Sequence, residues 1–312
     1  MTSGRIETEC LVVGGGPAGL VGATYLARFR RDTLVVDSGA SRAAWIPETR
    51  NLIGFPAGIS GPALLSRLRR QAGEYGARLM PGRISALQIT PAGFRAESDA
   101  GTIDARRVLL ATGGLDIEPK IDCIREAVRE GLVRYCPICD AFEAAGRHIA
   151  LISYGECRVR EALLLRRYTR NMTVLTLGEE MTLGAGDREL LDAAGIALRQ
   201  EPVLRIVRQG EQLAVHVEGG ERPLLFDILY SALGTRLRSE LALALGARAD
   251  EQGALVTDAH MRTTVPGLFA AGDIVHGLSQ ISVAAGHAAI AATAINSDLL
   301  QEEISGMRKC RS

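Results

Sequence analysis

Gly14-Gly15-Gly16-Pro17-Ala18-Gly19 is the stretch on which the fold turns. It follows an apolar run, Glu9–Val13, that reads as a strand, and it opens a helical pattern over Ala18–Arg30. A second strand, Thr33–Val36, then ends at Asp37. Glycines here permit a tight turn and close backbone approach to a pyrophosphate, while the helix N-terminus supplies N–H donors and positive dipole. Pro17 falls near the first helical position, where its missing N–H costs nothing. Asp37, 18 residues past Gly19, is placed to accept a hydrogen bond from a ribose hydroxyl. A merely structural turn would not explain that acid. Dinucleotide binding through Gly14, Gly16, Pro17, Ala18, Gly19 and Asp37 is therefore expected.

Beyond Asp37 the chain continues with an amphipathic helix over Gly61–Gly76 and alternating strands at Phe94–Glu97 and Thr102–Ala105. The run Arg107-Val108-Leu109-Leu110-Ala111-Thr112-Gly113-Gly114 reads as a buried strand ending in a small-residue turn. A second βαβ unit follows, with His148–Ile152 as its first strand, a loop at Ser153–Arg158, a helix to Tyr168 and Met172–Thr176 as its second strand. Strand Ile228–Leu233 and the turn Gly234-Thr235 bring the chain back. Gly267-Leu268-Phe269-Ala270-Ala271-Gly272-Asp273 then rejoins the first domain, followed by an Ala-rich helix from about Gln280 to Leu300. The expected fold is α/β, with two Rossmann-like dinucleotide-binding-type domains, the second inserted into the first. The expected boundaries are 1–115, 116–236 and 237–312.

With 312 residues the chain is long enough for two domains. Its formal net charge is zero and no block of like charge occurs, so nucleic-acid binding is not expected. No apolar run reaches the ~18 residues that span a membrane, and no charged n-region precedes an apolar segment at the N-terminus. A soluble cytoplasmic protein is expected.

Of six cysteines, Cys10, Cys123, Cys157 and Cys310 stand singly; only Cys136 and Cys139 form a pair, in Cys136-Pro137-Ile138-Cys139-Asp140. Such a pair in a long cytosolic chain points to redox or metal chemistry rather than a disulfide scaffold. A zinc site needs further ligands, and neither a second CxxC nor paired histidines exist, so no metal is expected. A thiolate at a helix start gains from the N-terminal dipole.

These features together resemble the low-molecular-weight thioredoxin reductase family of two-dinucleotide-domain flavoproteins. The matching segments are GGGPAGL (14–20), the Asn51 region, ATGG (111–114), YCPICDAF (135–142) and LFAAGDI (268–274) followed by Gln280. They run in family order over nearly the whole chain. The resemblance implies FAD as cofactor and a homodimer. It implies that Cys136 exchanges with substrate, that Cys139 faces the flavin, and that Asp140 carries a proton to or from a thiolate. It adds Ala111, Thr112, Gly113, Gly272 and Asp273 to the flavin site, with Asp273 on the ribityl chain, Gln280 and Ile281 on the pyrimidine edge, and Asn51 at the isoalloxazine or as an ordinary turn residue. His276 and His287 lie near this region as candidate bases, with a packed structural role the better reading for His287.

Where the family carries a second Gly-rich loop, this chain has Ser153-Tyr154-Gly155-Glu156-Cys157-Arg158, in which only Gly155 survives. Arg158 replaces the small residue that lets helix and strand approach, although it could itself grip an anion. After the next strand, where the family presents cations to the 2′-phosphate of NADPH, stand Glu179 and Glu180. A carboxylate about 5 Å from that phosphate repels it by about 3 kcal/mol at an effective dielectric near 20. NADPH binding is accordingly disfavoured.

The resulting expectation is an FAD-dependent dithiol/disulfide oxidoreductase that acts on a thioredoxin-like protein or a small dithiol or disulfide. Its electron donor would be a ferredoxin, a second flavin or another non-pyridine reductant. Three alternatives stay open. They are an oxygen-dependent dithiol oxidase, an NAD(P)H-dependent reductase with an atypical loop, and a non-catalytic flavin-binding sensor, for which an intact CxxC-Asp would have no use.

Overall fold

The computed structural model describes residues 5–119, 121, 124–156 and 159–309. It divides into two compact units, one formed by 1–44, 61–115 and 236–312 and the other by 45–60 and 116–235.

In the first unit, strands Arg78–Pro81, Thr33–Asp37, Arg5–Val13 and Gly101–Leu110 lie side by side and parallel. Leu268–Ala270 pairs in parallel with the upper part of Gly101–Leu110, and the antiparallel strands Gly93–Ser98 and Ile84–Thr90 extend the sheet from its lower part. Successive side chains point to opposite faces of a strand. Cys10 and Val12 accordingly join a core with helix Pro17–Arg28 and helix Ile281–Lys309, while Leu11 and Val13 join a core on the other face with Phe94 and Leu255. Burial on both faces is why Val108–Leu110 and Leu268–Ala271 read as unbroken apolar runs.

Small residues make the helix contact possible. Gly22 packs so closely that a Cβ there would lie 2.5 Å from Leu109 and 3.8 Å from Ala288. The last helix runs to Lys309, nine residues beyond the expected end at Leu300. Its added turns carry Glu302, bonded to Arg106 and Arg107, and Glu303, bonded to Arg31. Those arginines belong to distant strands and loops, so a local pattern does not reveal the extension.

Register fixes what the sheet presents at its carboxyl edge. Val13 pairs with both Val36 and Leu110, and Leu110 pairs with Ala270. Gly14, Asp37, Ala111 and the Ala271-Gly272-Asp273 segment therefore emerge at one level. Open parallel sheets bind ligands at this edge.

The second unit has its own parallel sheet, in the order Ala197–Arg199, Met172–Leu175, Ile149–Ile152, Ile228–Ser231, Val133–Arg134. An antiparallel sheet of Val203–Gln209, Gln212–Val217 and Leu224–Phe226 packs against it through Ile206, Leu213, Val215 and Phe226. Residues 45–60, which the sequence alone leaves within the first domain, group here instead. Trp45 explains it: the indole packs against the core containing Val133 and Leu229, with Arg125 and Arg129 over its ring at 5.3 and 6.0 Å.

Candidate active site

At the carboxyl edge of the first sheet, backbone conformation and space require glycine. Gly14 has φ +112°, and a Cβ there would overlap the carbonyl oxygen of Ala111. A Cβ on Gly19 would overlap the carbonyl oxygen of Gly14, and one on Gly15 the carboxylate of Asp37. Gly16 differs, because a Cβ there would meet only Ser41 Oγ, at 3.2 Å. Gly16 is the N-cap of helix Pro17–Arg28, no side chain caps that end, and Pro17 occupies the first turn. The result is an open helix N-terminus with room in front of it, which suits a pyrophosphate. Asp37 lies at the strand end; its Oδ1 accepts from Gly39 N at 3.0 Å and its Oδ2 is 3.2 Å from Arg69 Nη2.

Asp273 stands beside the same edge, with Arg42 Nη1 3.2 Å from its Oδ2. Gly272, at φ +83°, lets the turn pass 3.0 Å from Ala18 Cβ, measured from where its own Cβ would be. Gln280 accepts from Ala284 N at its carbonyl as helix Ile281–Lys309 begins. The hydroxyl of Thr112 donates to the carbonyl of Arg238 at 2.6 Å, and Arg238 N donates to Gly113 O at 2.9 Å. Arg42, Arg69 and Arg238 escape sequence reading. Each acts on a partner 32 to 231 residues away, and nothing local marks the pairing.

His276 is on the surface, its Nδ1 2.8 Å from Asp250 Oδ2. His287 is held below the usual histidine range by burial, against the pull of Asp273. Its Nδ1 is buried without a hydrogen-bond partner among the described residues. Asn51 lies in the segment that groups with the second unit, where Thr49 Oγ1 donates to its Oδ1 at 2.9 Å.

In the second unit Cys136 and Cys139 are joined as a disulfide, with Cα atoms 5.3 Å apart. Cys136 is the N-cap of the short helix Pro137–Asp140 in extended backbone, and Cys139 N donates back to Cys136 O at 2.9 Å. Asp140 ends that helix. Tyr230 Oη donates to Asp140 Oδ1 at 2.7 Å, and Arg134 Nη1 donates to the Asp140 carbonyl at 2.9 Å. Burial pushes the Asp140 carboxyl up, Arg134 and the Tyr230 hydrogen bond pull it down, and Glu143 pushes it up again; the outcome is a raised value. Ile138 and Phe142, 59% and 78% exposed, flank the disulfide with apolar surface.

The second nucleotide-type loop takes another path. Ser153 is buried, its N–H donating to Leu175 O at 3.0 Å. The chain then forms a short parallel pairing, Gly155 with Met181 and Glu156 with Thr182, before helix Val159–Arg166 begins. Arg158 and Cys157 lie outside the described residues, as do Cys123 and Cys310. After strand Met172–Leu175, Leu177 and Gly178 both adopt positive φ in a turn closed by Glu179 N to Thr176 O, and Glu179 and Glu180 are exposed.

Residues 8–288 match the family model described as pyridine nucleotide-disulphide oxidoreductase. The chain belongs to that family. It is 31% identical to the thioredoxin reductase of Treponema pallidum, over 95% of this chain and 99% of that one. Among solved structures it is similar to HlmI, at 28% identity and TM-score 0.89 over 97% of this chain and 96% of the other. It is also similar to the atypical thioredoxin reductase TRi from Desulfovibrio vulgaris Hildenborough, at 33% identity and TM-score 0.54 over 95% and 99%. As a member of the family the chain is an FAD-dependent disulfide oxidoreductase of thioredoxin reductase type, and the glycine edge described above fits a dinucleotide. Among the described residues no helix is long and apolar enough to cross a membrane, and no group of three or more His, Cys, Asp or Glu is gathered for a metal.

Proposed function

We propose that this flavoenzyme exchanges electrons between FAD, the Cys136–Cys139 pair and a thioredoxin-like protein without depending on NADPH. The single observation that carries the reading is the pairing of Gly155–Glu156 with Met181–Thr182. In a Gly-rich turn this stretch would lie open to a pyrophosphate; here its backbone runs in a strand pairing. The exposed Glu179 and Glu180 beyond the next strand add like charge where a 2′-phosphate would rest.

In this reading Gly14, Gly16, Pro17, Ala18 and Gly19 take the pyrophosphate and Asp37 the ribose. Ala111, Thr112, Gly113, Gly272, Asp273, Gln280, Ile281 and Asn51 complete the flavin site. FAD supplies two-electron chemistry when bound. Cys136 exchanges with the substrate disulfide, Cys139 passes electrons to and from the flavin, and Asp140 moves the proton. The exposed Ile138 and Phe142 favour a protein partner, since apolar side chains around a reactive dithiol give a docking protein area to bury. A ferredoxin or other non-pyridine donor is the electron source, 1–115 with 237–312 form the flavin domain around an inserted 116–236 with which residues 45–60 group, and the assembly is a homodimer.

Anaerobic stopped-flow mixing tests the central point. With excess NADPH the flavin should bleach far more slowly than with a dithiol or a one-electron donor. Saturable bleaching within about a second at sub-millimolar NADPH, an ordinary turnover timescale, would make this a conventional reductase with an unusual loop.

A further inference from the structure

Three ionisable side chains meet around Asp140, the residue that follows Cys139. Tyr230 and Arg134 are register partners on the adjacent parallel strands Ile228–Ser231 and Val133–Arg134, so their side chains share a face. Asp140 reaches the same place from the short helix that begins after Cys136. The Tyr230 phenol donates to Asp140 Oδ1 at 2.7 Å, with Arg134 Nη1 3.5 Å from the phenol oxygen. Arg134 is tied down in turn, its Nε donating to Gly131 O at 3.0 Å.

Tyr230 is fully buried on an interior strand, in one core with Ala141, Ala144 and Leu151, where an apolar ring would fill the same space. A hydroxyl placed there must find a partner, and the partner it finds is the acid directly after Cys139. Asp140 Oδ2 is left 3.9 Å from Arg134 Nη1, beyond hydrogen-bond range. The two carboxyl oxygens are thus distinguished.

We infer that Tyr230 is a positioning residue: its phenol pins Asp140 Oδ1 so that Oδ2 is the oxygen that gives and takes the thiol proton. The inference rests on the assignment of Asp140 made above. When a substrate thiolate leaves during dithiol exchange, protonated Oδ2 gives it a proton, producing a thiol and the Asp140 carboxylate. When a thiol must become a nucleophile the same oxygen takes the proton back. No electrons move in this step; they move with the making and breaking of the sulfur–sulfur bonds. The phenol proton stays on Tyr230, whose own ionisation burial pushes far up. The charged or titratable groups acting on Asp140 are Arg134, Tyr230 and Glu143, besides the two thiols of the reduced pair.

The test is the pH dependence of iodoacetamide alkylation of the reduced, FAD-loaded protein, read by mass spectrometry at Cys136 and Cys139. Ionisation of Asp140 beside the thiols should give an acid-side inflection that Asp140→Asn removes. Tyr230 stabilises the carboxylate, so Tyr230→Phe should move that inflection upward by about one pH unit, a tenfold change in the proton equilibrium. Arg134→Gln, which loses the cation, should move it the same way and serves if Tyr230→Phe does not fold. In an Asp140→Asn background Tyr230→Phe should change nothing. If Asp140→Asn removes an inflection that Tyr230→Phe and Arg134→Gln leave in place, the positioning role is wrong and the acid assignment stands. If Asp140→Asn leaves the profile unchanged, the acid assignment fails and takes the positioning role with it.

Discussion

Arg42 Nη1 lies 3.2 Å from Asp273 Oδ2, although 231 residues separate them in the chain. Both side chains are partly buried, and Asp273 stands at the carboxyl edge of the sheet. If Asp273 binds the flavin as proposed, a partner that fixes its orientation lowers the ordering cost of binding. Arg42→Ala should weaken FAD affinity by about tenfold, since charge-assisted hydrogen bonds of this kind contribute roughly 1.5 kcal/mol. Flavin fluorescence recovered on dilution measures it; an unchanged dissociation constant sinks the idea.

Glycine replacements should separate folding from cofactor binding. The Cβ of Gly16→Val meets only Ser41, and its methyls fill the space a pyrophosphate needs before the helix N-terminus, so the protein should fold yet stay colourless. Gly19→Ala collides with the Gly14 carbonyl, a fixed backbone atom, and should destabilise the protein by about 1–3 kcal/mol even without flavin. Denaturant melts of the two flavin-free proteins decide it. Equal stability would mean that the loop yields where close packing says it cannot.

The two cysteines should differ spectroscopically. Cys136→Ser leaves the flavin-side thiol unpaired, and as a thiolate it should give oxidised FAD a broad long-wavelength absorbance. Cys139→Ser should show no such band and should lose electron exchange between flavin and substrate. If the band appears in Cys139→Ser, the two roles are reversed.

Asp227 offers a pH test away from the chemistry. Its carboxylate is held below the ordinary aspartate range by the His148 N–H, 2.8 Å from Oδ2, and by Gln212 Nε2, 2.9 Å from Oδ1. A depressed folded-state pKa stabilises above the unfolded value near 3.9 and loses that contribution as pH falls through the folded value. Asp227→Asn should therefore cost about 1 kcal/mol at neutral pH, allowing for partial solvation. The gap between mutant and parent should close below about pH 4. Chemical melts at two pH values suffice, and a gap that persists in acid contradicts the linkage.

The fold class was legible because its decisive residues are neighbours. Gly14 to Asp37 lie within one βαβ unit, where turn chemistry, helix start and strand end each leave a local mark. The dithiol and its acid occupy five consecutive positions. Legibility ends where partners are far apart. Tyr230 is 90 residues from Asp140, and in sequence it is one more large residue in a buried strand. The tail of the last helix was hidden for the same reason, since Glu302 and Glu303 gain their anchors from Arg106, Arg107 and Arg31 on other elements. Trp45 is similar: nothing beside it announces that its core lies with the second unit.

The seam between helices Pro17–Arg28 and Ile281–Lys309 is made largely of Ala18, Gly22, Ala23, Ala284, Ala288 and Ala291. Such side chains have no rotamers to freeze, so closing the seam sacrifices backbone freedom alone. Those six residues also have no rotamers to change afterwards. A contact of this kind cannot adjust by small steps; it is either seated or parted. The two helices whose starts frame the dinucleotide edge are thereby set at one spacing, which the gain and loss of electrons at that edge gives them no means to relax.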